Sequence, residues 1–155
     1  MFDRILIANR GEIACRIIRA CHEMGIEAVA IHSQADKESR HVSMADGAIC
    51  VGAGSNTDSY LNLANVLMAC EISGAQAVHP GYGYFSERAT FVKALESVGL
   101  KFIGPGVEAM QAMGDKALAK HAAVAAHCPV VPGSEGDVPN LEEACRIADE
   151  IGYPV

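Results

Sequence analysis

The chain has 155 residues, with 12 Lys and Arg against 19 Asp and Glu for a formal net charge of −7, and half of it is hydrophobic. That balance lets burial outweigh ordering entropy, and it excludes the basic footprint of a nucleic-acid binder or of a protein held on an anionic membrane. No apolar run approaches the ~20 residues of a membrane span, and the run Ile5 to Ala8, cut off by Asn9 and Arg10, is too short for a signal-peptide core; the expected setting is cytoplasmic, with neither nucleic acid nor membrane as partner.

Ile5 to Ala8 reads as the first strand. Past Asn9-Arg10-Gly11 the spacing turns helical from Glu12, with Ile13, Ile17, Ala20, Cys21 and Met24 on one face and Arg16, Arg19 and Glu23 on another. Asn9 is the expected cap of this helix, Glu12 suits its dipole, and Gly25 stands where a C-terminus favours positive φ. Ala28 to Ile31 is the second apolar run, and a short amphipathic stretch, Arg40 to Ala45, leads to a third, Ala48 to Val51. Gly52 to Asp58 is turn-rich, and Tyr60 to Ile72 predicts a helix ending at Gly74. Ala75 to His79 is the fourth run, stopped by Pro80. Ser86 or Glu87 is expected to open the next helix, which runs over Phe91 to Val98 and closes at Gly99. Leu100 to Ile103 is the fifth run, broken by Gly104-Pro105.

Continuous runs of this kind indicate strands covered on both faces, and their alternation with helices predicts an α/β fold: a doubly wound parallel sheet with right-handed crossovers. Beyond Pro105 the rhythm changes. Val107 to Met113 and Lys116 to Ala126 read as helices with no strand between them. A loop follows with Pro129, Pro132, Gly133 and Gly136, and then a helix over Leu141 to Ile151. Gly152-Tyr153-Pro154 reads as a turn launching a strand at Val155, so the tail reads as an unfinished unit.

Cys15, Cys21, Cys50, Cys70, Cys128 and Cys145 sit singly, with no C-x-x-C pair, which predicts reduced and mostly buried thiols. The six His residues are equally scattered, so no metal site is expected from His or Cys.

In open α/β sheets, ligands collect at the carboxyl ends of the strands, and three segments fall there. Ile7-Ala8-Asn9-Arg10-Gly11-Glu12-Ile13-Ala14 lacks G-x-G-x-x-G and by itself reads as a capped junction. His79-Pro80-Gly81-Tyr82-Gly83-Tyr84-Phe85-Ser86-Glu87 carries two glycines, which let the backbone approach a ligand, and three aromatic rings able to stack. A plain connector needs neither. In Met113-Gly114-Asp115-Lys116, Asp115 is a plausible N-cap that puts Lys116 in a first helical turn, against the dipole. That lysine suits either a ligand contact or an ordinary surface position.

Together these three segments, with Phe102-Ile103-Gly104-Pro105 and Val131-Pro132-Gly133, resemble in order and spacing the N-terminal part of biotin carboxylase, over the whole chain. This family is the ATP-dependent component of acetyl-CoA carboxylase, with relatives in propionyl-CoA and pyruvate carboxylases. The resemblance implies a Rossmann-like domain over 1–113 preceding an ATP-grasp unit, of which 114–155 is the incomplete helical start. It implies a reaction in which ATP activates bicarbonate as carboxyphosphate and the carboxyl group passes to biotin on a carrier protein, with Mg²⁺ at the phosphates and carboxyltransferase subunits as further partners. It implies that Lys116 contacts ATP and that Tyr82 and Gly83 belong to the loop beside the biotin pocket. The family is commonly dimeric, and Arg16, Arg19 and Glu23 are compatible with a polar dimer face or with a solvated one.

The departures from the family pattern are Arg88 where Asn is usual, Tyr84-Phe85 where Phe-Leu is usual, and His127-Cys128 where Gly-Val is common. The resemblance puts the lid loop, the metal carboxylates and the groups acting on bicarbonate and biotin downstream, so no catalytic residue is expected within these residues and the chain alone is not expected to complete the reaction. Two other readings stand beside this one. The first is a nicotinamide-dinucleotide module with Asp36 on the ribose, and the second is a non-catalytic interaction domain.

Overall fold

The computed structural model describes residues 1–134 and 136–154. They form two compact units, Met1–Val107 and Glu108–Val155. In the first unit, β1 (Arg4–Ile7), β2 (Glu27–His32), β3 (Gly47–Cys50), β4 (Ala77–His79) and β5 (Lys101–Phe102) make one parallel sheet in the order β3-β2-β1-β4-β5. The helices α1 (Gly11–Glu23), α2 (Arg40–Met44), α3 (Leu63–Ser73) and α4 (Ala89–Ser97) connect them.

Alternate residues of each central strand face opposite layers, as the pleat requires. Ile5, Ile7, Ala28 and Ala77 pack with Ala14, Ile17, Ile18 and Cys21 of α1. Leu6, Ala8, Val29, Ile31 and Val78 pack with Val66, Ala69 and Cys70 of α3 and with Phe91 and Leu95 of α4. The sheet is therefore doubly wound, and each fully buried Leu, Ile or Phe contributes ~1.5–3 kcal/mol of transfer free energy. The chain leaves β1 toward β2 on one side and reaches β4 on the other, so the strand order reverses between the carboxyl ends of β1 and β4.

The first helix ends as its sequence suggests. Gly25 adopts φ +70, and Ile26 N–H closes back on Cys21 O at 2.8 Å, the pairing of a Schellman cap.

Some boundaries differ from the sequence reading, each for a local reason. α3 starts at Leu63, not Tyr60, because the Asn62 side chain accepts from Asn65 N–H at 3.1 Å and caps it; Tyr60 lies ahead of the helix with its ring buried. α4 starts at Ala89 because Ser86 and Arg88 are drawn into turns, their N–H groups donating to Gly83 O and Phe85 O. β3 is covered less than a two-faced strand should be: it is an edge strand with Ala48 and Cys50 exposed. Cys50, Cys128 and Cys145 are exposed, so only Cys15, Cys21 and Cys70 meet the expectation of buried thiols, and all six are free.

The second unit takes in nearly all of α5 (Val107–Gly114) and the whole of α6 (Lys116–Ala125) and α7 (Leu141–Ile151), with no strand among its described residues. The Asp115 carboxylate accepts from Leu118 N–H at 2.9 Å, and the Asn140 side chain caps α7 through Glu143 N–H at 2.9 Å. The strand start expected at Val155 lies outside the described residues. No helix among those residues is long and apolar enough to cross a membrane.

Candidate functional site

The loops leaving β1 and β4 meet at the place where the strand order reverses, which is where open α/β sheets receive ligands. Asn9 joins them. It is 3% exposed, and its Nδ2 donates to both Pro80 O and Tyr82 O at 2.7 Å while its Oδ1 accepts from Arg10 N–H at 2.9 Å. Asn9 is therefore a clamp between loops and not the cap of α1, whose N-cap position falls to Arg10 with no side-chain cap bond. Gly81 lies directly on this clamp at φ +65, and a Cβ there would come within 2.7 Å of Asn9 Nδ2. Its N–H donates to His79 Nδ1 at 3.0 Å, and burial lowers the His79 pKa, which keeps that nitrogen an acceptor.

The other end of the loop is held by Tyr84, a non-glycine residue at φ +45, a conformation costing roughly 1–2 kcal/mol. Its ring stacks on Tyr60 with centroids 5.3 Å apart. Its hydroxyl accepts from Arg10 Nε at 2.7 Å and donates to Asn56 Oδ1 at 3.3 Å. Tyr60 in turn donates to Asp36 Oδ2 at 2.7 Å and accepts from Ser33 N–H at 3.0 Å. Arg10 lies 5.6 Å over the Tyr60 ring, with Nη1 3.4 Å from Asp36 Oδ2.

Burial by itself would raise the Asp36 carboxyl, but bonds from Tyr60 and Ser33 and the Arg10 charge hold it below its ordinary range. Tyr60 is pushed strongly upward, first by burial and then by donating to Asp36. Tyr60, Ser33 and Arg10 all converge on Asp36 Oδ2, which ties that oxygen into the loop network.

Asn9, Arg10, Glu12, Tyr82, Gly83 and Tyr84 border an open hollow of ≈ 380 Å³. Tyr82 is 60% exposed, and its hydroxyl donates to Glu12, a bond that raises its pKa. Of the three aromatic residues expected to offer stacking faces, only Tyr82 does so freely. Phe85 is buried against Phe91 with centroids 4.5 Å apart, and Tyr84 is committed to Tyr60. The hollow therefore offers one aromatic ring, a glycine that admits close backbone approach and a carboxylate, while the Arg10 guanidinium at its edge is committed to Tyr84, Asp36 and the Tyr60 ring. Those groups suit a flat ligand with hydrogen-bonding edges.

The structure brings Tyr82 and Gly83 together on this hollow. Lys116 is the exposed first residue of α6, in the second unit, behind the Asp115 cap. Arg16, Arg19 and Glu23 are exposed together along α1. Among the described residues there is no group of three or more His, Cys, Asp or Glu side chains able to hold a metal ion. Sequence reasoning missed Arg10, Tyr60 and Asn56 as parts of this network; the available signal was Arg10 itself, placed in the turn between the first strand and α1.

Residues 1–110 match the family model described as biotin carboxylase, N-terminal domain, and residues 115–155 match that of the carbamoyl-phosphate synthase L chain, ATP binding domain. The chain is 50% identical to biotin carboxylase 1 of Bacillus subtilis, over 100% of its own length and 34% of that protein's. It is 54% identical to the mitochondrial propionyl-CoA carboxylase alpha chain of Homo sapiens, over 99% of its own length and 21% of that protein's. Among solved structures, it matches the biotin carboxylase domain dimer of Hydrogenobacter thermophilus 2-oxoglutarate carboxylase, in complex with MgADP, ADP and bicarbonate. The TM-score is 0.89 at 48% identity, over 99% of this chain and 34% of that one. The chain thus spans about a third or less of the length of these relatives.

Proposed function

The chain belongs to the biotin carboxylase N-terminal domain family, and from that premise we propose that it serves an ATP-dependent carbon–nitrogen ligase in which bicarbonate, activated by ATP, carboxylates biotin on a carrier protein. In this reading 1–113 is the α/β domain and 114–155 begins the ATP-grasp unit. Tyr82 and Gly83 border the biotin ring. Lys116 contacts the ATP phosphates, a role supported by its place beside the first-turn N–H groups of α6, where an anion is favoured and a cation by itself is not. The observation that carries the reading is the Gly81–Tyr84 loop, clamped open over the hollow where the strand order reverses, in a chain half identical to a biotin carboxylase.

Mg²⁺ would neutralise the phosphates in such a transfer. In this reading its ligands lie in the part of the enzyme beyond the segment that these residues match. For the same reason the 155 residues are not proposed to turn over by themselves.

The proposed setting is cytoplasmic acetyl-CoA carboxylase, at the first step of fatty acid synthesis, with a biotin carboxyl carrier protein, carboxyltransferase subunits and a homodimer through Arg16, Arg19 and Glu23. A propionyl-CoA carboxylase is the second reading, favoured by the 54% identity to its alpha chain.

The test is a chimera in which these 155 residues replace the matching segment of B. subtilis biotin carboxylase 1, assayed for bicarbonate- and free-biotin-dependent ATP hydrolysis. Activity within about tenfold of the parent is expected, with Lys116→Ala raising KM for ATP at least about tenfold, the weight of a charge-assisted phosphate contact. A folded chimera without biotin-dependent hydrolysis would overturn the proposal.

A further inference from the structure

We propose that Tyr84 and Arg10 form a positioning pair that stations the Tyr82–Gly83 segment over the hollow. This rests on the reading of that segment as the biotin-side loop. Besides the Tyr82 hydroxyl's bond to Glu12, two anchors hold its backbone. Asn9 grips the backbone carbonyls of Pro80 and Tyr82. Past Gly83, the next anchor is the Tyr84 side chain, tied through its hydroxyl to Arg10 Nε and Asn56 Oδ1. Between them Gly83 sits at φ +66 with nothing within 4 Å of where a Cβ would stand. No side chain at Gly83 restrains the backbone, so its orientation is set by the turn in which its carbonyl accepts from Ser86 N–H and by the anchors on either side.

Arg10 is not a spare cation for a ligand. Its guanidinium is engaged by the Tyr84 hydroxyl, by Asp36 and by the face of Tyr60, and the Tyr84 bond leads the causes that raise its pKa. The contact joins four strand ends: Arg10 follows β1, Asp36 follows β2, Asn56 and Tyr60 follow β3, and Tyr84 follows β4. Tyr84 also keeps its left-handed backbone because the ring stack and the hydroxyl partners both hold it there; a residue in that region persists only when its surroundings determine it. The pair touches no reacting atom in this account. Its effect on chemistry runs through Tyr82.

Tyr84→Phe isolates the hydroxyl, since it keeps the ring, the stack and the backbone demand. Hydrogen exchange on the 155-residue chain reads the two anchors separately. Ser86 N–H, bonded to Gly83 O at 2.9 Å, reports the Tyr84 end, and Gly81 N–H, bonded to His79 Nδ1, reports the Asn9 end. The expected result is exchange at Ser86 faster by at least about tenfold, the size of one charge-assisted hydrogen bond, with Gly81 unchanged. Global destabilisation would speed both.

In the chimera, Tyr84→Phe is expected to raise KM for biotin about fivefold and to leave kcat and KM for ATP as they were. Arg10→Lys, which keeps the charge but loses the Nε donor, is expected to do the same. Unchanged exchange at Ser86, equal acceleration at both amides, or faster exchange at Ser86 with an unchanged biotin KM in an active chimera would each overturn the pair. If the chimera with Tyr84 intact is inactive, the functional reading falls, and the exchange experiment by itself decides the pair.

Discussion

His41 is a residue whose environment can be read atom by atom. It is 1% exposed, its Nε2 donates to Ile31 O at 3.2 Å, and its Nδ1 has no partner. A proton added at Nδ1 would be buried without an acceptor, and burial, aided by the His32 and Arg10 charges, outweighs the Ile31 bond and the Asp36 charge that favour protonation and leaves its pKa lowered. Unfolded His titrates near ~6.5, so the unfolded chain binds the proton first on acidification. The folded state is therefore fully favoured above that pH and loses ground below it. His79 acts in the same direction, because protonating Nδ1 would break its bond from Gly81. Asp36, with its pKa lowered, adds a second loss only near the carboxylate range. Thermal unfolding should show Tm lower by roughly 3 °C at pH 5.5 than at pH 7.5. His41→Gln, which keeps a donor for Ile31, should roughly halve that drop; an undiminished drop would assign the titration elsewhere. At this scale the sequence was legible only where residue type implied conformation. The glycines around Tyr82 announced a ligand-facing loop, whereas Asn9 looked like a cap and Arg10 like part of a plain strand-to-helix junction. Their partners, Pro80, Tyr82, Tyr84 and Asp36, are distant in the chain and become neighbours only through the parallel sheet.

Most elements were legible because the strands fall in mainly apolar runs and α1, α3 and α4 are each followed by a glycine at positive φ. What the runs could not specify was which of two adjacent polar groups would cap a helix, and Asn62 decides the start of α3 in a way that composition does not reveal. α6 shows the same logic at its other end. Its last turn closes with Cys128 N–H on Ala123 O at 2.9 Å, which forces His127 to φ +56. This is the position where the family commonly carries Gly, and the departure read from sequence thus falls on a residue held in the left-handed region. His127→Gly removes a steric cost of roughly 1–2 kcal/mol, offset by the larger entropy glycine loses on folding, of the order of 0.4–1 kcal/mol. A net gain of about 0.5–1 kcal/mol is expected in chemical denaturation followed on the second unit, for example by exchange at the α6 amides. A loss of stability would mean that the His127 side chain makes a contribution larger than its backbone strain.

For the molecule as a whole, the first unit distributes its helices unequally in character. α3 and α4 complete a core with three stacked or edge-packed aromatic contacts, whereas α1 turns Arg16, Arg19 and Glu23 outward on an otherwise acidic chain. Beside them, Met1, Phe2, Ile13, Ile17 and Met24 line an apolar groove of ≈ 650 Å³ that Arg16 also borders. A polar rim next to exposed apolar surface is the composition of a subunit contact, and the neighbouring 2-oxoglutarate carboxylase domain was solved as a dimer. Exposed charges by themselves contribute little, so the discriminating variant is one that reverses a charge: Arg19→Glu would put a second carboxylate one helical turn before Glu23, on the same face and opposite its symmetry mates. If α1 is the contact, sedimentation over ~1–100 μM should show a concentration-dependent dimer for the parent chain, and Arg19→Glu should weaken it at least about tenfold, the cost of apposed like charges. The charge reversal leaves the buried stripe of α1, Ala14, Ile17, Ile18 and Cys21, untouched, so folding is expected to survive and the two sedimentation profiles can be compared directly. Identical monomeric behaviour in both chains would reduce Arg16, Arg19 and Glu23 to a solvated helix face.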